Sequence, residues 1–187
     1  MTAKPKYTLP YHDHVSYTLS DARHINLFGE IGAHTLAHIA NSLDYLILQD
    51  KKKPVHIRLN SGGGSVIDGL AVYDLITQFA KKLPIHITVS GACMSMAVVI
   101  LQAATTRLSL THSEFLLHEV SYGARGKYSE HKDAEAQAGK LQKKLDAILV
   151  ERSRITLAEL KKLTERRDYT ISAQEALKHG LIDEIIQ

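Results

Sequence analysis

The chain has 187 residues, 44% of them hydrophobic, and a formal net charge of +3 at pH 7. This composition predicts one globular domain with a buried core and excludes a disordered chain. The lysines are scattered apart from Lys51, Lys52 and Lys53, so the charge pattern indicates no nucleic-acid surface. The single cysteine, Cys93, excludes an internal disulfide framework and fits a reducing, cytoplasmic compartment.

Residues 1–22 mix polar and aromatic side chains without a sustained period, and we predict an N-terminal arm there, followed by one domain over residues 23–187. The arm lacks the apolar core of a signal peptide, and the longest apolar run, residues 96–101, is too short to span a bilayer. His12 and His14 alternate as metal ligands on a strand do, but no Cys, Asp or Glu set follows at a ligand spacing. We therefore predict no membrane association, no metal and no cofactor.

Strands and helices alternate along the rest of the chain. Short apolar runs predict strands, and apolar residues three and four apart predict helices. The predicted strands cover residues 24–28, 55–59, 84–89, 106–110, 114–118 and 181–186. The predicted helices cover residues 31–49, 66–81, 96–104 and 129–152, with two short helices that begin near Leu157 and Ala173. Strands that alternate with helices imply crossover connections, so we predict an α/β fold with a largely parallel sheet.

The helix predicted over residues 129–152 has one apolar face and one charged face. The apolar residues are Ala134, Ala138, Leu141, Leu145, Ile148 and Leu149. A helix this long and one-sided needs a surface to cover its stripe, and a compact domain offers no obvious one. We therefore expect the chain to form a homo-oligomer through this helix.

Ser95 lies where the strand predicted over residues 84–89 gives way to an apolar helix. The first N–H groups of a helix are unpaired and its dipole is positive there, so a serine at this point can act as a nucleophile beside anion donors. The alternative is that Ser95 only caps the helix, which is the commonest role of a serine in that position. Cys93 is a competing nucleophile, but between Ala92 and Met94 it fits a small buried hydrophobic residue.

Residues 60–65 form a glycine-rich turn between a predicted strand and a predicted helix. Gly62, Gly63 and Gly64 allow backbone angles and close approaches that side chains forbid, so the turn can aim N–H groups at an anion. The turn is neither a Walker loop nor a dinucleotide fingerprint, because no Gly-Lys-Ser/Thr follows and the glycine spacing differs. A plain turn is the other interpretation.

These motifs, in this order and spacing, resemble those of the Clp protease proteolytic subunit family. The resemblance runs from about Arg23 to Ile186. It rests on Asn60-Ser-Gly-Gly-Gly64, Gly69-Leu-Ala-Val-Tyr-Asp74, Gly91 with Ser95-Met96, Phe115-Leu-Leu-His118, and Arg167-Asp168 followed by Ile171-Ser-Ala and Gly180-Leu-Ile-Asp183. It implies a crotonase-like α/β fold with parallel sheet layers, surrounding helices and a protruding handle helix within about residues 119–152.

The resemblance also implies a serine endopeptidase that acts on short peptides or unfolded proteins. Ser95 would be the nucleophile, His118 the general base and Asp168 the residue that orients the histidine. The chemistry requires these roles, because a serine hydroxyl attacks poorly at neutral pH until an imidazole takes its proton, and a carboxylate then stabilises the imidazolium.

Each of these assignments has a plainer alternative. His118 closes an apolar strand, where a lone histidine is most often a satisfied core or rim residue. Asp168 competes with Glu165 and Asp183 for its role. It could also form a simple ion pair with the neighbouring Arg167.

Two further parts of the site follow from the resemblance. The backbone N–H groups of Gly64 and Met96 would form the oxyanion hole, one in the glycine turn and one directly after the nucleophile. An extended segment would pair with the substrate backbone as an added strand does. Its residues are Ser121, Tyr122, Gly123 and Ala124.

In quaternary structure, the resemblance implies stacked heptameric rings that a ring-shaped Clp ATPase can feed. The strand that docks the ATPase carries His56 and Arg58 where the family has aromatic residues, and Thr88 and Ser90 replace apolar ones. We therefore expect docking to be atypical. The family also usually has proline at Gly62, so the turn is looser in this chain.

Two other functions stay open at this point. One is an acyl-CoA hydratase or isomerase relative on the same fold, which would rely on carboxylates and leave the Ser/His/Asp set accidental. The other is a non-catalytic ring subunit. A degenerate subunit would be expected to lose a member of the triad, whereas this chain carries all three.

Overall fold

The computed structural model describes residues 22–187. Within them, seven strands form one sheet, accompanied by six helices. The predicted α/β fold with a largely parallel sheet is confirmed. The predicted N-terminal arm, with His12 and His14, lies outside the described residues. No helix in the described range combines the length and the apolar composition needed to cross a membrane.

The elements follow the predicted order, with one additional strand. The strands are β1 (His24–Phe28), β2 (Val55–Ser61), β3 (Ile85–Met94), β4 (Thr106–Leu110), β5 (Glu114–Leu117), β6 (Tyr169–Ser172) and β7 (Glu184–Ile186). The helices are α1 (Ala33–Gln49), α2 (Val66–Ala80), α3 (Met96–Leu101), α4 (Tyr128–Arg152), α5 (Leu157–Thr164) and α6 (Ala173–Lys178). The unpredicted strand is β6, which has four residues and little periodicity of its own.

The sheet has a parallel body and one antiparallel extension. Strands β1, β2, β3, β4 and β7 follow one another in that order and run parallel. β4 pairs with residues 86–89 of β3, whereas β5 pairs with residues 92–94 of the same strand. β6 then pairs antiparallel with β5. The long strand β3 therefore connects the body of the sheet to the β5–β6 pair.

β3 continues to Met94, although its sequence predicts an end at Val89. Gly91 bends the strand at φ +103°, a backbone angle that favours glycine. The Ser113 hydroxyl bridges the bend, because it donates to the Val89 carbonyl at 3.1 Å and accepts the Gly91 N–H at 3.3 Å. Ser95 consequently follows directly after a strand rather than after a loop.

The hydrophobic core contains strands β2 and β3 and the helix α3 that follows the end of β3. Inward-facing side chains of β2 and β3 are at most 1% exposed: Val55, Ile57, Leu59, Ile85, Ile87 and Val89. All six residues of α3 are buried as well. Burying an aliphatic side chain of this size stabilises the fold by roughly 1.5–3 kcal/mol. The ends of β2, β3 and α3 are therefore held rigidly.

Helix α4 is divided between an exposed and a packed half. In residues 128–137 every residue except Ala134 is exposed. Towards the other end, Leu145 and Leu149 join the main hydrophobic core, while Leu141 and Ile148 are half-buried. The prediction that the apolar stripe has no partner within the domain is therefore wrong for its C-terminal half.

Candidate active site

Ser95 has a backbone conformation that non-glycine residues rarely adopt. Its φ is +54° and its ψ is −123°, and such geometry costs about 1–3 kcal/mol unless the surroundings hold it. The surroundings do so here, because the Ser95 N–H donates to the Leu116 carbonyl at 2.8 Å and its carbonyl accepts from Val98 at 3.0 Å. The side chain makes no capping bond to α3, so the interpretation of Ser95 as only a helix cap is wrong.

His118 directly follows β5, and the pairing of β5 with β3 brings it to Ser95. Its Nε2 lies 2.7 Å from Ser95 Oγ, which is hydrogen-bond distance. The His118 side chain is 29% exposed, so it lies at the surface end of the strand. A satisfied rim residue would have the same contacts, so the role of His118 as general base stays a prediction, now supported by its contact with the candidate nucleophile.

Asp168 directly precedes β6, and the pairing of β6 with β5 sets Tyr169 opposite Leu117. Asp168 Oδ1 consequently lies 3.3 Å from His118 Nδ1. The Asp168 side chain is 67% exposed. The structure therefore arranges Ser95, His118 and Asp168 in one row, with the imidazole between the hydroxyl and the carboxylate.

Two competing interpretations, Asp183 in place of Asp168 and an ion pair between Asp168 and Arg167, fail on contacts. Asp183 is engaged by the buried Arg107 side chain, which donates to both carboxylate oxygens. Burial alone would raise the pKa of Asp183, but the hydrogen bonds from Arg107 outweigh it and hold that pKa below its usual range. The Arg167 guanidinium donates to the carbonyls of Leu163 at 2.8 Å and Lys162 at 2.7 Å. Arg167 therefore caps α5 instead of pairing with Asp168.

Gly64 and Met96 line one cavity together with the candidate nucleophile. Ile31 brackets Gly64, since Ile31 donates to the Gly63 carbonyl at 2.9 Å and accepts from Ser65 at 2.8 Å. The Gly64 N–H points away from that bracket and has no acceptor in the described part of the chain. Met96 is the first residue of α3, so its N–H has no intrahelical acceptor. The oxyanion assignment stays a prediction, with two unpaired donors available for it.

Gly63, rather than Gly64, touches the candidate nucleophile. A Cβ added at Gly63 would lie 2.7 Å from Ser95 Cβ and 2.9 Å from the Met94 carbonyl oxygen. Ser61 holds the turn in place, because its hydroxyl donates to the Gly29 carbonyl at 2.6 Å and accepts the Gly63 N–H at 3.1 Å. The run of glycines is visible in the sequence, but the sequence does not indicate which of them contacts Ser95.

The cavity beside Ser95 extends between α3, α4 and α5. Most of its lining residues are apolar. The polar ones, apart from Ser95, His118 and Ser121, are Glu119, which follows the histidine, Gln142 and Asp146 on α4, and Thr164 on α5. A pocket of this character suits an apolar side chain of a bound peptide. Sequence reasoning did not find it, because its lining comes from five separate segments. The apolar lining residues are Val66, Met96, Val98, Val99, Leu117, Val120, Leu145, Leu149 and Leu160.

The predicted substrate segment, Ser121, Tyr122, Gly123 and Ala124, is irregular backbone at the surface. Its backbone groups make no hydrogen bond within residues 22–187, so they are available to a partner strand. Ser121 also lines the cavity beside Ser95. The preceding Val120 is held by its N–H, which donates to Gln142 Oε1 at 2.6 Å.

Cys93 is fully buried on β3. Burial raises the pKa of its thiol far above the usual range, so the reactive thiolate is strongly disfavoured. The interpretation of Cys93 as a small buried hydrophobic residue is confirmed.

A row of three histidines crosses the opposite end of the parallel sheet. His24, His56 and His86 stand in register on β1, β2 and β3, with ring centroids 5.2 Å and 5.1 Å apart. Burial, and secondarily the neighbouring His86 and His24, lowers the pKa of His56. A shallow pocket adjoins this row and includes Arg58, Thr88, Ser90, Leu110 and Ile186. Within residues 22–187, no three or more His, Cys, Asp or Glu side chains are grouped so that they could hold a metal ion.

Comparison with known proteins identifies relatives along most of the chain. A sequence model described as Clp protease matches residues 10–187. ATP-dependent Clp protease proteolytic subunit 3 of Synechococcus sp. (strain CC9902) is 36% identical over 163 residues, which cover 83% of this chain and 80% of that protein. The family match begins within the predicted N-terminal arm, and the domain boundary at residue 23 stays a prediction.

Proposed function

Because the chain belongs to the Clp protease family, we propose that it is a serine endopeptidase that cleaves short peptides or unfolded proteins with Ser95, His118 and Asp168. Family membership supports peptidase activity in general, without identifying the catalytic residues. The observation that carries the residue assignment is the row of contacts, 2.7 Å from Ser95 Oγ to His118 Nε2 and 3.3 Å from His118 Nδ1 to Asp168 Oδ1.

The proposed reaction proceeds in two half-reactions. His118 Nε2 takes the hydroxyl proton as Ser95 Oγ attacks the peptide carbonyl carbon, and the Gly64 and Met96 N–H groups stabilise the oxyanion. The tetrahedral intermediate expels the amine, which receives the proton from His118, and leaves an acyl-enzyme. Water then repeats the sequence and restores the Ser95 hydroxyl. Asp168 keeps the Nδ1 proton in place, so that Nε2 is free to act as the base.

Two features of the site support peptide substrates of varied sequence. The unpaired backbone of residues 121–124 can form a strand pair with an extended peptide, which binds main chain rather than side chains. The apolar cavity between α3, α4 and α5 would take the side chain next to the cleaved bond. Broad specificity with an apolar preference at one subsite follows.

We further propose the quaternary structure and location that the family implies. The fold would be crotonase-like, with α4 as a handle that meets other copies in stacked heptameric rings in the cytoplasm. The exposed first half of α4 and the half-buried Leu141 support this arrangement, because they leave helix surface free for a partner. A Clp ATPase would dock poorly, because Arg58 and His56 replace aromatic residues in the pocket at the histidine row.

The test of the proposed activity is labelling with a fluorophosphonate probe, read by intact mass and peptide mapping. We expect one adduct, on Ser95, and cleavage of unstructured fluorogenic peptides by the wild type. Ser95→Ala should abolish both, since losing the nucleophile of such a triad costs about a millionfold in turnover. Ser90→Ala is the control, because Ser90 lies on the same strand and outside the row.

Four outcomes would contradict the proposal. Labelling at Cys93, or full peptide cleavage by Ser95→Ala, would show that another nucleophile acts. A folded wild type that neither reacts with the probe nor cleaves any peptide would favour the non-catalytic ring subunit. Hydration of an unsaturated acyl-CoA that persists in Ser95→Ala would favour the acyl-CoA alternative.

A further inference from the structure

The carboxylate of the proposed triad stands on a loop that burial does not hold. Asp168 is 67% exposed, and Glu165 and Arg166 beside it are exposed as well. An exposed contact such as that between Asp168 and His118 stabilises a structure only weakly. Arg166 has a φ of +56°, an angle that is strained in a non-glycine residue. The Asp168–His118 contact is therefore too weak to hold the loop by itself.

One side chain connects this loop to the histidine. Glu119, the residue directly after His118, accepts the Arg166 N–H on its Oε2 at 3.1 Å. A hydrogen bond to an ionised carboxylate is about twice as strong as a neutral one. This bond joins the segment that carries the base to the loop that carries Asp168, two residues beyond Arg166.

The segment that carries Glu119 is itself anchored on α4. Val120 donates its N–H to Gln142 Oε1 at 2.6 Å, and Gln142 Nε2 donates to Asp146 Oδ1 at 2.7 Å. Asp146 is only 6% exposed, so this anchor belongs to the packed half of the helix. Glu119 thus extends from a fixed backbone.

We infer that Glu119 is a positioning residue of the proposed peptidase: its carboxylate holds the Arg166 N–H, and thereby holds Asp168 against His118. The inference rests on the proposed function, because Glu119 acts through Asp168: it lines the cavity beside Ser95, but its side-chain hydrogen bond is to the Arg166 N–H and not to Ser95. Its role is to fix the geometry before substrate binds.

The test compares four single variants, namely Glu119→Ala, Glu119→Asp, Glu119→Gln and Asp168→Ala, with the double variant that combines Glu119→Ala and Asp168→Ala. Glu119→Ala should lower kcat by up to about 100-fold, the scale expected for misplacing a catalytic group by 1 Å, and leave KM unchanged. Glu119→Asp should lower kcat by a similar factor, because the shorter side chain keeps the charge but cannot reach the Arg166 N–H. Glu119→Gln should retain most activity, because its amide oxygen can accept the same bond.

The double variant decides whether Glu119 acts through Asp168. We expect the double variant to be no slower than Asp168→Ala alone, since there is then no carboxylate to position. Glu114→Ala is the matched control, being an exposed glutamate on β5. Melting temperatures of all variants should stay close to that of the wild type, because Glu119 is exposed and its truncation leaves no cavity.

The outcomes separate this inference from the proposed function. An active wild type with fully active Glu119→Ala would overturn the inference, as would Glu119→Gln as slow as Glu119→Ala. If Glu119→Ala lowered kcat by the same factor in the Asp168→Ala background as in the wild type, Glu119 would act by another route. A wild type that is not labelled at Ser95 would instead contradict the proposed function.

Discussion

At the scale of single residues, the strained backbone of Ser95 depends on a neighbour without a side chain. Gly63 has a φ of +97° and lies so close to Ser95 that a Cβ would come within 2.7 Å of Ser95 Cβ. The contact is with the rigid start of a side chain and with the Met94 carbonyl, so neither can move aside cheaply. Gly62, one residue earlier, has nothing within 4 Å of an added Cβ.

This contrast predicts opposite effects at adjacent glycines. Gly63→Ala should displace Ser95, slow fluorophosphonate labelling at least about 10-fold, and destabilise the protein by about 1–3 kcal/mol. Gly62→Ala should leave labelling unchanged and stabilise the protein by about 0.4–1 kcal/mol, because it reduces the entropy of the unfolded chain. Labelling rates and urea unfolding of both variants provide the measurement. Normal labelling of Gly63→Ala would show that the contact does not matter for the nucleophile.

At the scale of elements, the ends of the parallel strands differ in chemistry. The carboxyl ends of β2 and β3 carry the glycine turn and Ser95, whereas the row of His24, His56 and His86 crosses the other end. Arg58 lies beside that row, exposed, and it adds a positive charge to the adjoining pocket. Burying polar groups there without partners would cost roughly 2–7 kcal/mol each, which disfavours an apolar docking loop.

We therefore predict that a conventional Clp ATPase does not deliver substrate to this protein. The wild type mixed with such an ATPase, ATP and a folded tagged substrate should give little degradation. Replacing His56 and Arg58 together with Tyr should increase it, because two apolar surfaces replace two polar ones. The control replaces His34 and His38, two exposed histidines of α1, with Tyr. Robust degradation by the wild type that does not change in the His56/Arg58 variant would show that the pocket interpretation is wrong.

At the scale of the whole molecule, the two halves of α4 have different tasks. Leu145 is 9% exposed and belongs to the core, so a charge there would unfold the domain rather than separate subunits. Leu141 is half-buried one turn earlier, and the exposed half of the helix lies beyond it. We therefore expect the surface for a partner copy to lie at Leu141 and towards Tyr128.

We predict that Leu141→Glu divides a large assembly into smaller ones without unfolding the chain. Light scattering should give a wild-type mass many times the 20.8 kDa of one chain, and a smaller mass for the variant at a similar melting temperature. Leu145→Glu should instead lose its cooperative melting transition. Lys143→Glu is the matched control, since Lys143 is exposed on the same helix. A monomeric wild type would refute the prediction.

Much of the architecture and most of the proposed site could be predicted from the sequence, because the relevant signals are local. The alternation of apolar strands and amphipathic helices depends on periods of two and 3.6 residues. Ser95 and the glycine turn stand at junctions between such segments, where backbone donors are unpaired. The starts of the two short helices are likewise local signals, because Thr156 and Ser172 each form a capping box with the glutamate three residues later.

Only the tertiary structure decided features that depend on residues distant in sequence. β6 is a strand because β5 offers it a partner, and that pairing is what brings Asp168 to His118. Glu119 and Arg166 are 47 residues apart, so no pattern along the chain could join them. The bend of β3 and the packed half of α4 likewise depend on contacts with other elements. The sequence determined which residues could perform the chemistry, and long-range packing decided which of them meet.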